Sequence, residues 1–186
     1  MLTDRCSKGR LPPTACIAAA GLAVLVACLA YSASTRLVWP VPDDGAVVRQ
    51  SGRLDCGPAA LKMIFDHYQI ASDVEEIALA AGLGTSGTNL LALKRVAEAR
   101  SLVATGMRLS IGELRVLPMP VIAHMDENHF VVVRSAGDEF LVDDPSVGRL
   151  KMGARAFTRS WTGVIMVFER KTHGAPDAKF VSPASA

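Results

Sequence analysis

Apolar residues recur at helical spacing in the first half of the chain. They follow a period of about 3.6 residues in Cys56–Tyr68 and again in Asn89–Arg100. Between these segments, Ser72 and Glu75 have the spacing of a capping box, which predicts a second helix that ends at Gly82. This half of the chain is therefore predicted to be helical.

Shorter apolar runs, rich in β-branched residues, fill the second half and predict strands. These runs are Leu102–Leu109, Pro120–His124, His129–Arg134, Glu139–Asp143 and Val164–Glu169. A short helix is predicted at Ala154–Ser160, before the last strand. Helices followed by antiparallel strands predict an α+β domain.

The N-terminal part of the chain has a different pattern, typical of a targeting segment. Three basic residues within the first ten positions precede the uncharged apolar run Thr14–Ala33, as in a signal peptide or a signal anchor. The run is about long enough to span a bilayer, and the basic residues before it favour an exported remainder. Within it, Leu25-Val26-Ala27-Cys28 resembles a bacterial lipobox. A lipoprotein, an uncleaved anchor and a secreted protein all stay open.

These patterns divide the chain into four segments. Residues 1–35 are predicted to be the signal peptide or membrane anchor, and the proline-rich residues 36–45 a linker. The folded domain is predicted at residues 46–170, and the polar tail, residues 171–186, is predicted to be disordered. We expect the domain to lie outside the cytoplasm, on the periplasmic side of a membrane or in the cell envelope.

Composition and charge argue against a nucleic-acid partner. The 186 residues carry a formal net charge of only +2, and aromatic residues make up 5%. A nucleic-acid surface needs a basic patch, often with aromatic stacking platforms. His124 and His129 do not have the spacing of a helical zinc motif, and the Gly82–Gly87 stretch lacks the lysine of a phosphate loop. No metal or cofactor is therefore predicted, and the glycine-rich stretch is interpreted as a surface loop beside the cleft.

Cys56 is the only cysteine from residue 29 onward, so the domain cannot form an internal disulfide. It begins a predicted helix, with Asp55 as N-cap, and the free N–H groups of a helix start stabilise a thiolate. Gly57 is predicted to let a substrate approach closely. Gln50 lies six residues ahead of Cys56. Its side-chain amide and the backbone N–H of Cys56 can donate to the oxygen that becomes negative when a thiolate attacks a carbonyl.

A base, and a group that orients it, are predicted on two neighbouring strands. His129 begins one predicted strand and Asp144 follows the end of the next. A two-residue turn at Ala136-Gly137 would place them directly opposite each other on one face, within hydrogen-bond reach. Asp143 would point to the other face, although a register shift of one residue would reverse the choice. The candidate catalytic set has four members, namely the nucleophile Cys56, the base His129, the orienting Asp144 and the oxyanion donor Gln50.

These residues lie in three short motifs that together resemble the bacteriocin-processing, double-glycine cysteine peptidase family. Gln50 with Asp55-Cys56-Gly57 resembles its nucleophile motif, Asn128-His129-Phe130 its histidine motif and Asp144-Pro145 its aspartate motif. The resemblance spans roughly residues 46–170. It implies a papain-like α+β fold, in which the helical half carries the nucleophile and the sheet carries the base.

The resemblance also implies an activity. In that family the thiolate attacks the carbonyl after a small-residue pair, often Gly-Gly, at the end of a leader peptide, and water releases the acyl-enzyme. The best-known members are cytoplasmic domains fused to an exporting ABC transporter, whereas this sequence contains neither a transporter membrane domain nor a nucleotide-binding motif. We therefore expect a stand-alone peptidase that acts on an envelope or secreted peptide, with secretion or export machinery as a candidate partner.

Two other functions stay open at this point. An amine acceptor in place of water would make the enzyme a transpeptidase or acyltransferase. A domain of the same fold can also hold a peptide or an assembly partner without cutting it, although family members with this role usually lack the cysteine.

Overall fold

The computed structural model describes residues 38–171. The helices in this range are α1 (Cys56–His67), α2 (Val74–Ala80), α3 (Leu90–Ala99), α4 (Ile111–Leu114) and α5 (Ala154–Ser160). The strands are β1 (Val38–Pro40), β2 (Leu102–Arg108), β3 (Val121–Met125), β4 (His129–Ala136), β5 (Glu139–Asp144), β6 (Gly148–Gly153) and β7 (Trp161–Arg170). A 3-10 turn, Asp126–Asn128, joins β3 to β4. The predicted order of helices followed by antiparallel strands is confirmed.

The strands form one antiparallel sheet in the order β1-β6-β5-β4-β3-β7-β2. Its two faces bear separate apolar cores, one shared with α1, α2 and α3 and the other with α4 and α5. Along β4, Phe130 and Val132 belong to the first core, whereas Val131 and Val133 belong to the second. The sheet is therefore a central layer, and burial on both faces explains why this strand reads as a continuous apolar run.

Helix α1 is held in place by one strongly buried face. Leu61, Ile64 and Phe65 are fully buried against the sheet, and each such burial stabilises the fold by about 1.5–3 kcal/mol. On the outer face Lys62 and Asp66 form an i,i+4 ion pair. The apolar stripe fixes the rotation of the helix and, with it, the position of the residue at its N-terminus.

The capping box predicted for the second helix is wrong by one residue. Asp73 is the N-cap of α2, and its carboxylate accepts a hydrogen bond from the backbone N–H of Glu76 at 2.7 Å. Ser72 Oγ is instead buried without a hydrogen-bond partner among the described residues. An aspartate caps the helix and also complements its dipole, so it competes effectively with a neighbouring serine. The third helix is confirmed, with Asn89 as its N-cap.

The hairpin between β4 and β5 has a longer turn than predicted. Ala136 pairs with Phe140, so three residues, 137–139, separate the last paired positions of the two strands instead of two. Farther along, the ladder shifts by one residue between Val133 and Ser135, so Arg134 is the extra residue of a β-bulge.

Beyond the bulge Val132 pairs with Asp143, so the predicted register is wrong by two residues. A shift of two leaves every side chain on its predicted face, because strand side chains alternate between the faces. Asp144 therefore shares a face with His129, as predicted, and Asp143 does not. Without the bulge, the observed turn would have put Asp143 on the face of His129.

The prediction that residues 36–45 form a linker is wrong for the described part of this range, residues 38–45. Val38–Pro40 form an edge strand that pairs with β6, and Val41 N donates to Arg149 O at 3.0 Å. Asp44 forms an ion pair with Arg149 at 3.0 Å. A proline is tolerated here because an edge strand leaves one row of N–H groups unpaired.

The predicted signal peptide or anchor, residues 1–35, lies outside the described residues, as does the predicted tail beyond Lys171. Within residues 38–171, no helix is both long and apolar enough to cross a bilayer.

Candidate active site

Cys56 is the first residue of α1 and is 7% exposed. The helix is anchored at this end by the hydrogen bond from Ala59 N to Asp55 O, at 2.9 Å. Within residues 38–171 it is the only cysteine, and it is free. The thiol therefore lies beside the free N–H groups of a helix start, which stabilise an anionic sulfur.

Asp55 precedes the helix but does not cap it with its side chain. Its carboxylate instead accepts hydrogen bonds from Ser51 N, Ser51 Oγ and Gly52 N, at 2.9, 2.8 and 2.9 Å. Burial acts to raise the pKa of Asp55, but these hydrogen bonds outweigh it and lower the pKa below its ordinary value. Asp55 is thus the N-cap residue of α1, as predicted, but its side chain fixes the loop that leads into Cys56 instead of bonding to the helix.

Gly57 also has a different role from the one predicted. It is buried, and a Cβ atom there would lie 2.3 Å from Thr88 Oγ1, 3.2 Å from Leu93 Cδ1 and 3.3 Å from Phe130 Cδ2. The space beside Gly57 is therefore occupied by protein and not by a substrate. Glycine is needed because α1 packs closely against its neighbours.

His129 and Asp144 lie in direct contact, as predicted. His129 Nε2 is 2.9 Å from Asp144 Oδ1, and the two side chains are 26% and 14% exposed. A carboxylate in this position fixes the imidazole tautomer and leaves the Nδ1 atom for a second partner.

Cys56 is the second neighbour of this imidazole. The hydrogen bond to Asp144 is the largest cause that raises the pKa of His129 to about 10, and the neighbouring Cys56 thiol is the next, while burial opposes them. Within residues 38–171, no hydrogen bond of regular geometry joins the Cys56 thiol to the His129 imidazole. Catalytic contacts of this kind commonly tighten only when a substrate binds. The fold thus brings sulfur, imidazole and carboxylate together, with the imidazole held as a cation near neutral pH.

Ser146 is a contributor that the sequence analysis missed. Its backbone N–H and its hydroxyl both donate to Asp144 Oδ1, at 2.7 and 2.6 Å, which is the same oxygen that binds His129. Burial acts to raise the pKa of Asp144, but the hydrogen bonds from His129 and Ser146 outweigh it and lower the pKa. The run Asp144-Pro145-Ser146 could have signalled this contact, since an aspartate side chain commonly accepts a hydrogen bond from the residue two positions later.

Gln50 lies beside the Asp144 turn, because its backbone N donates to Pro145 O at 2.9 Å. Its side-chain Nε2 donates to Gly52 O at 2.6 Å, and Oε1 is buried without a partner among the described residues. The structure therefore ties Gln50 to the loop before Cys56. The second proton of Nε2 is left for an oxyanion, so the donor role stays a prediction.

The loop predicted to border the cleft contacts the residue before His129. Asn128, at φ +57°, donates through Nδ2 to Ser86 O at 3.4 Å, and its Oδ1 lies 3.3 Å from His124 Nε2. Gly87 lies close to both Leu54 O and Asn128 Nδ2. The glycine-rich loop therefore lies near the segment before Cys56 and the residue before His129.

Two cavities flank these residues. The sheet-side pocket has a volume of about 610 Å³ and is lined by His129, Asp144, the polar Arg53, Asp126, Ser146 and Ser160, and the apolar Met125, Val131, Val142, Leu150 and Met152. The loop-side pocket, about 380 Å³, lies between residues 51–55 and α2, with Leu83 at its edge. Arg53 lines both cavities. No group of three or more His, Cys, Asp or Glu side chains within residues 38–171 could hold a metal ion.

The family model described as "Peptidase C39 family" matches residues 44–173. The chain belongs to this family. The resemblance seen in the motifs is thereby confirmed, and the C39 domain is a cysteine peptidase with a papain-like α+β fold.

Sequence relatives of this C39 chain differ in architecture. An uncharacterized protein of Methanothermobacter marburgensis is 33% identical over 129 residues, which cover 69% of this chain and 91% of that protein. The colicin V secretion/processing ATP-binding protein of Escherichia coli is 31% identical over 121 residues, which cover 64% of this chain but only 17% of that protein. The match therefore spans nearly the whole length of the first relative but only a small part of the second, much longer one.

Solved structures agree with the C39 assignment. A double glycine motif protease from an AMS/PCAT transporter, crystallised in complex with the leader peptide, is 31% identical with a TM-score of 0.64, covering 67% of this chain and 90% of that chain. The peptidase domain of Streptococcus ComA has a TM-score of 0.63 at 22% identity, covering 67% of this chain and 97% of that chain, and supports the fold.

Proposed function

We propose that this C39 peptidase cleaves a peptide or leader after a Gly-Gly-like pair of small residues, outside the cytoplasm, through a thioester on Cys56. The observation that carries the proposal is the His129–Asp144 hydrogen bond beside the Cys56 thiol. A nucleophile, a base within reach and a third group that orients the base are the signature of nucleophilic catalysis. A relative described as a double glycine motif protease supports the choice of cleavage site.

The first half-reaction forms the acyl-enzyme. The thiolate of Cys56 attacks the carbonyl carbon of the second small residue, and the oxyanion accepts hydrogen bonds from the Cys56 N–H and the free proton of Gln50 Nε2. The C–N bond then breaks, and the departing amine takes the proton held by His129.

The second half-reaction releases the acid. Neutral His129 removes a proton from water, and the resulting nucleophile attacks the thioester carbonyl. The C–S bond breaks, the carboxylic acid product leaves, and the thiolate–imidazolium pair is restored. Asp144 keeps the imidazole in the required orientation through both steps.

The direct test compares the full-length chain with its Cys56→Ala variant on peptides that differ only at the cut site, Gly-Gly, Gly-Ala or Val-Val. We expect cleavage after Gly-Gly and Gly-Ala and little after Val-Val. Cys56→Ala should lower kcat/KM by at least about 10³-fold, whereas Cys6→Ala, which changes a cysteine outside the domain, should not.

Intact mass spectrometry of the reaction should also reveal an adduct on wild-type protein that is absent from Cys56→Ala. Unchanged cleavage by Cys56→Ala would reject the mechanism. Cleavage after Val-Val as fast as after Gly-Gly would reject the cut-site preference alone.

The location outside the cytoplasm is supported by the basic residues that precede the apolar run Thr14–Ala33. A phosphatase reporter that is active only after export, fused behind Lys171, should be active. Two aspartates in place of Leu25 and Val26 should abolish that activity. Reporter activity confined to the cytoplasm would reject the location and leave the catalytic proposal intact.

A further inference from the structure

The sheet-side pocket lies against the imidazole–carboxylate pair. Its floor comes from apolar side chains on one face of the sheet, where Val142 pairs with Leu150 across β5 and β6. Val131 and Val142 are 2% and 1% exposed, whereas Leu150 is only half-buried. A cavity with an apolar floor and a few polar groups at its mouth is the usual form of a site that binds a side chain.

The direction of proton transfer decides which part of a substrate meets this pocket. The amine that leaves when the acyl-enzyme forms must take its proton from His129, so the residue that carries this amine lies against the imidazole. The base His129 and its orienting residue Asp144 line the pocket, and Cys56 does not. The pocket is therefore on the side of the leaving group.

The size of the pocket supports the same assignment. The two residues before the cut are small under the proposed function, and glycine has no side chain to place in a cavity of about 610 Å³. The first side chain on the imidazole side that is free to be large belongs to the residue after the scissile bond. A charged side chain there would lose its hydration against valine and leucine, which is costly.

We infer that the sheet-side pocket is the subsite for the residue directly after the scissile bond, and that it selects a large apolar side chain there. This inference rests on the proposed function and deepens it. Arg53, Asp126 and Ser146 at the mouth of the pocket are the polar groups available to the backbone of the departing segment.

The test uses peptides that share one Gly-Gly acyl side and differ only in the next residue, which is Leu, Phe, Gly or Asp. We expect the full-length protein to cleave the Leu and Phe peptides at least about tenfold more efficiently than the Asp peptide, measured as kcat/KM. A pocket for apolar side chains should also favour Leu over Gly.

Variants of Leu150 test the pocket itself. Leu150→Arg puts a cation at the floor, so the Leu/Asp ratio of kcat/KM should fall by about tenfold or invert. Leu150→Ala enlarges the cavity without charge and should shift the preference from Leu towards Phe. Val116→Arg is the matched control, because Val116 is 81% exposed and lines neither cavity at the site, and it should leave all ratios unchanged.

The outcomes separate the two proposals. A wild-type protein that cleaves all four peptides equally well, or ratios that do not respond to either Leu150 variant, would overturn the subsite and leave the peptidase function standing. If Cys56 is intact and none of the peptides is cleaved, the proposed function fails and the subsite falls with it.

Discussion

Oδ1 of Asp144 receives hydrogen bonds from His129 and twice from Ser146, so one carboxylate oxygen controls the charge of the imidazole. The pKa of His129 is raised to about 10, with the hydrogen bond to Asp144 as the largest cause. The folded protein therefore binds this proton more tightly than the unfolded chain. The resulting stability is fully present below about pH 6.5, the ordinary value, and is lost as the pH rises towards 10.

Asp144→Asn should weaken the dependence of the free energy of unfolding on pH. Between pH 6.5 and 10, the free energy of unfolding of the wild type should decrease more steeply than that of the variant. Urea unfolding at a series of pH values measures both. Asp138→Asn, an exposed aspartate in the turn after β4, is the control and should follow the wild type. Parallel curves for Asp144→Asn and the wild type would contradict the assignment.

The same variant should lower kcat by on the order of 10³-fold, since the imidazole loses its orienting group.

Gly57 is a second residue whose role is set by its surroundings. Gly57→Ala should lower the free energy of unfolding by about 1–3 kcal/mol, because the added methyl group overlaps Thr88 Oγ1. Thermal or urea unfolding measures the loss. Gly112→Ala is the matched control, since the nearest atom to its Cβ is 4.0 Å away, and it should be neutral or slightly stabilising.

Thr88→Ala in the Gly57→Ala background should restore part of the lost stability, because it removes the overlapping oxygen. An unaltered stability of Gly57→Ala would mean that this face of α1 has room, and the substrate-facing role first predicted for the glycine would then return.

Among the helices, the start of α2 offers a comparison between two adjacent side chains. Asp73 accepts a hydrogen bond from the helix, whereas Ser72 Oγ has no partner among the described residues. Asp73→Ala should cost about 0.5–2 kcal/mol of stability. Ser72→Ala should cost nothing measurable, because it removes a buried hydroxyl that forms no bond. Urea unfolding of both variants checks this, and the reverse order would reinstate the capping box predicted from the sequence.

The elements that could be predicted are those with a strong internal pattern. The apolar stripes of α1 and α3 were sufficient to predict these two helices, and the β-branched run was sufficient to predict β4. Strand β6 was missed although its basic and apolar residues alternate, which is the pattern of a half-buried strand, and β1 was missed because Pro40 suggested a linker. Pairing with a neighbouring strand, and not local preference, stabilises both of these strands. Helix α4 carried an overlooked signal, since Ser110 and Glu113 form a complete capping box.

In the molecule as a whole, the candidate site is shared between two layers. Cys56 comes from the helical layer, whereas His129 and Asp144 come from the sheet. We therefore expect catalytic activity and circular dichroism to be lost at the same urea concentration, since the site exists only while both layers are packed together. Activity that disappears at a clearly lower urea concentration would indicate that the layers separate before the fold is lost.

Cys56, His129 and Asp144 could be chosen from the sequence because each lies at the end of a predictable element, whereas Gln50 was chosen for its spacing ahead of Cys56. Their environment could not be predicted, since it depends on distant contacts. The carbonyl of Pro145 holds the backbone of Gln50, and the carbonyl of Ser86 accepts a hydrogen bond from Asn128, the residue before His129. Such contacts join segments far apart in sequence, and no local periodicity encodes them.

The three-residue turn and the bulge at Arg134 cancel each other, so that Asp144 and not Asp143 shares a face with His129. Neither irregularity could be lost alone without exchanging the two aspartates between the faces of the sheet. Related sequences with the same number of residues between His129 and Asp144 should consequently gain or lose the two together, so that a shortened hairpin turn is accompanied by a regular fourth strand.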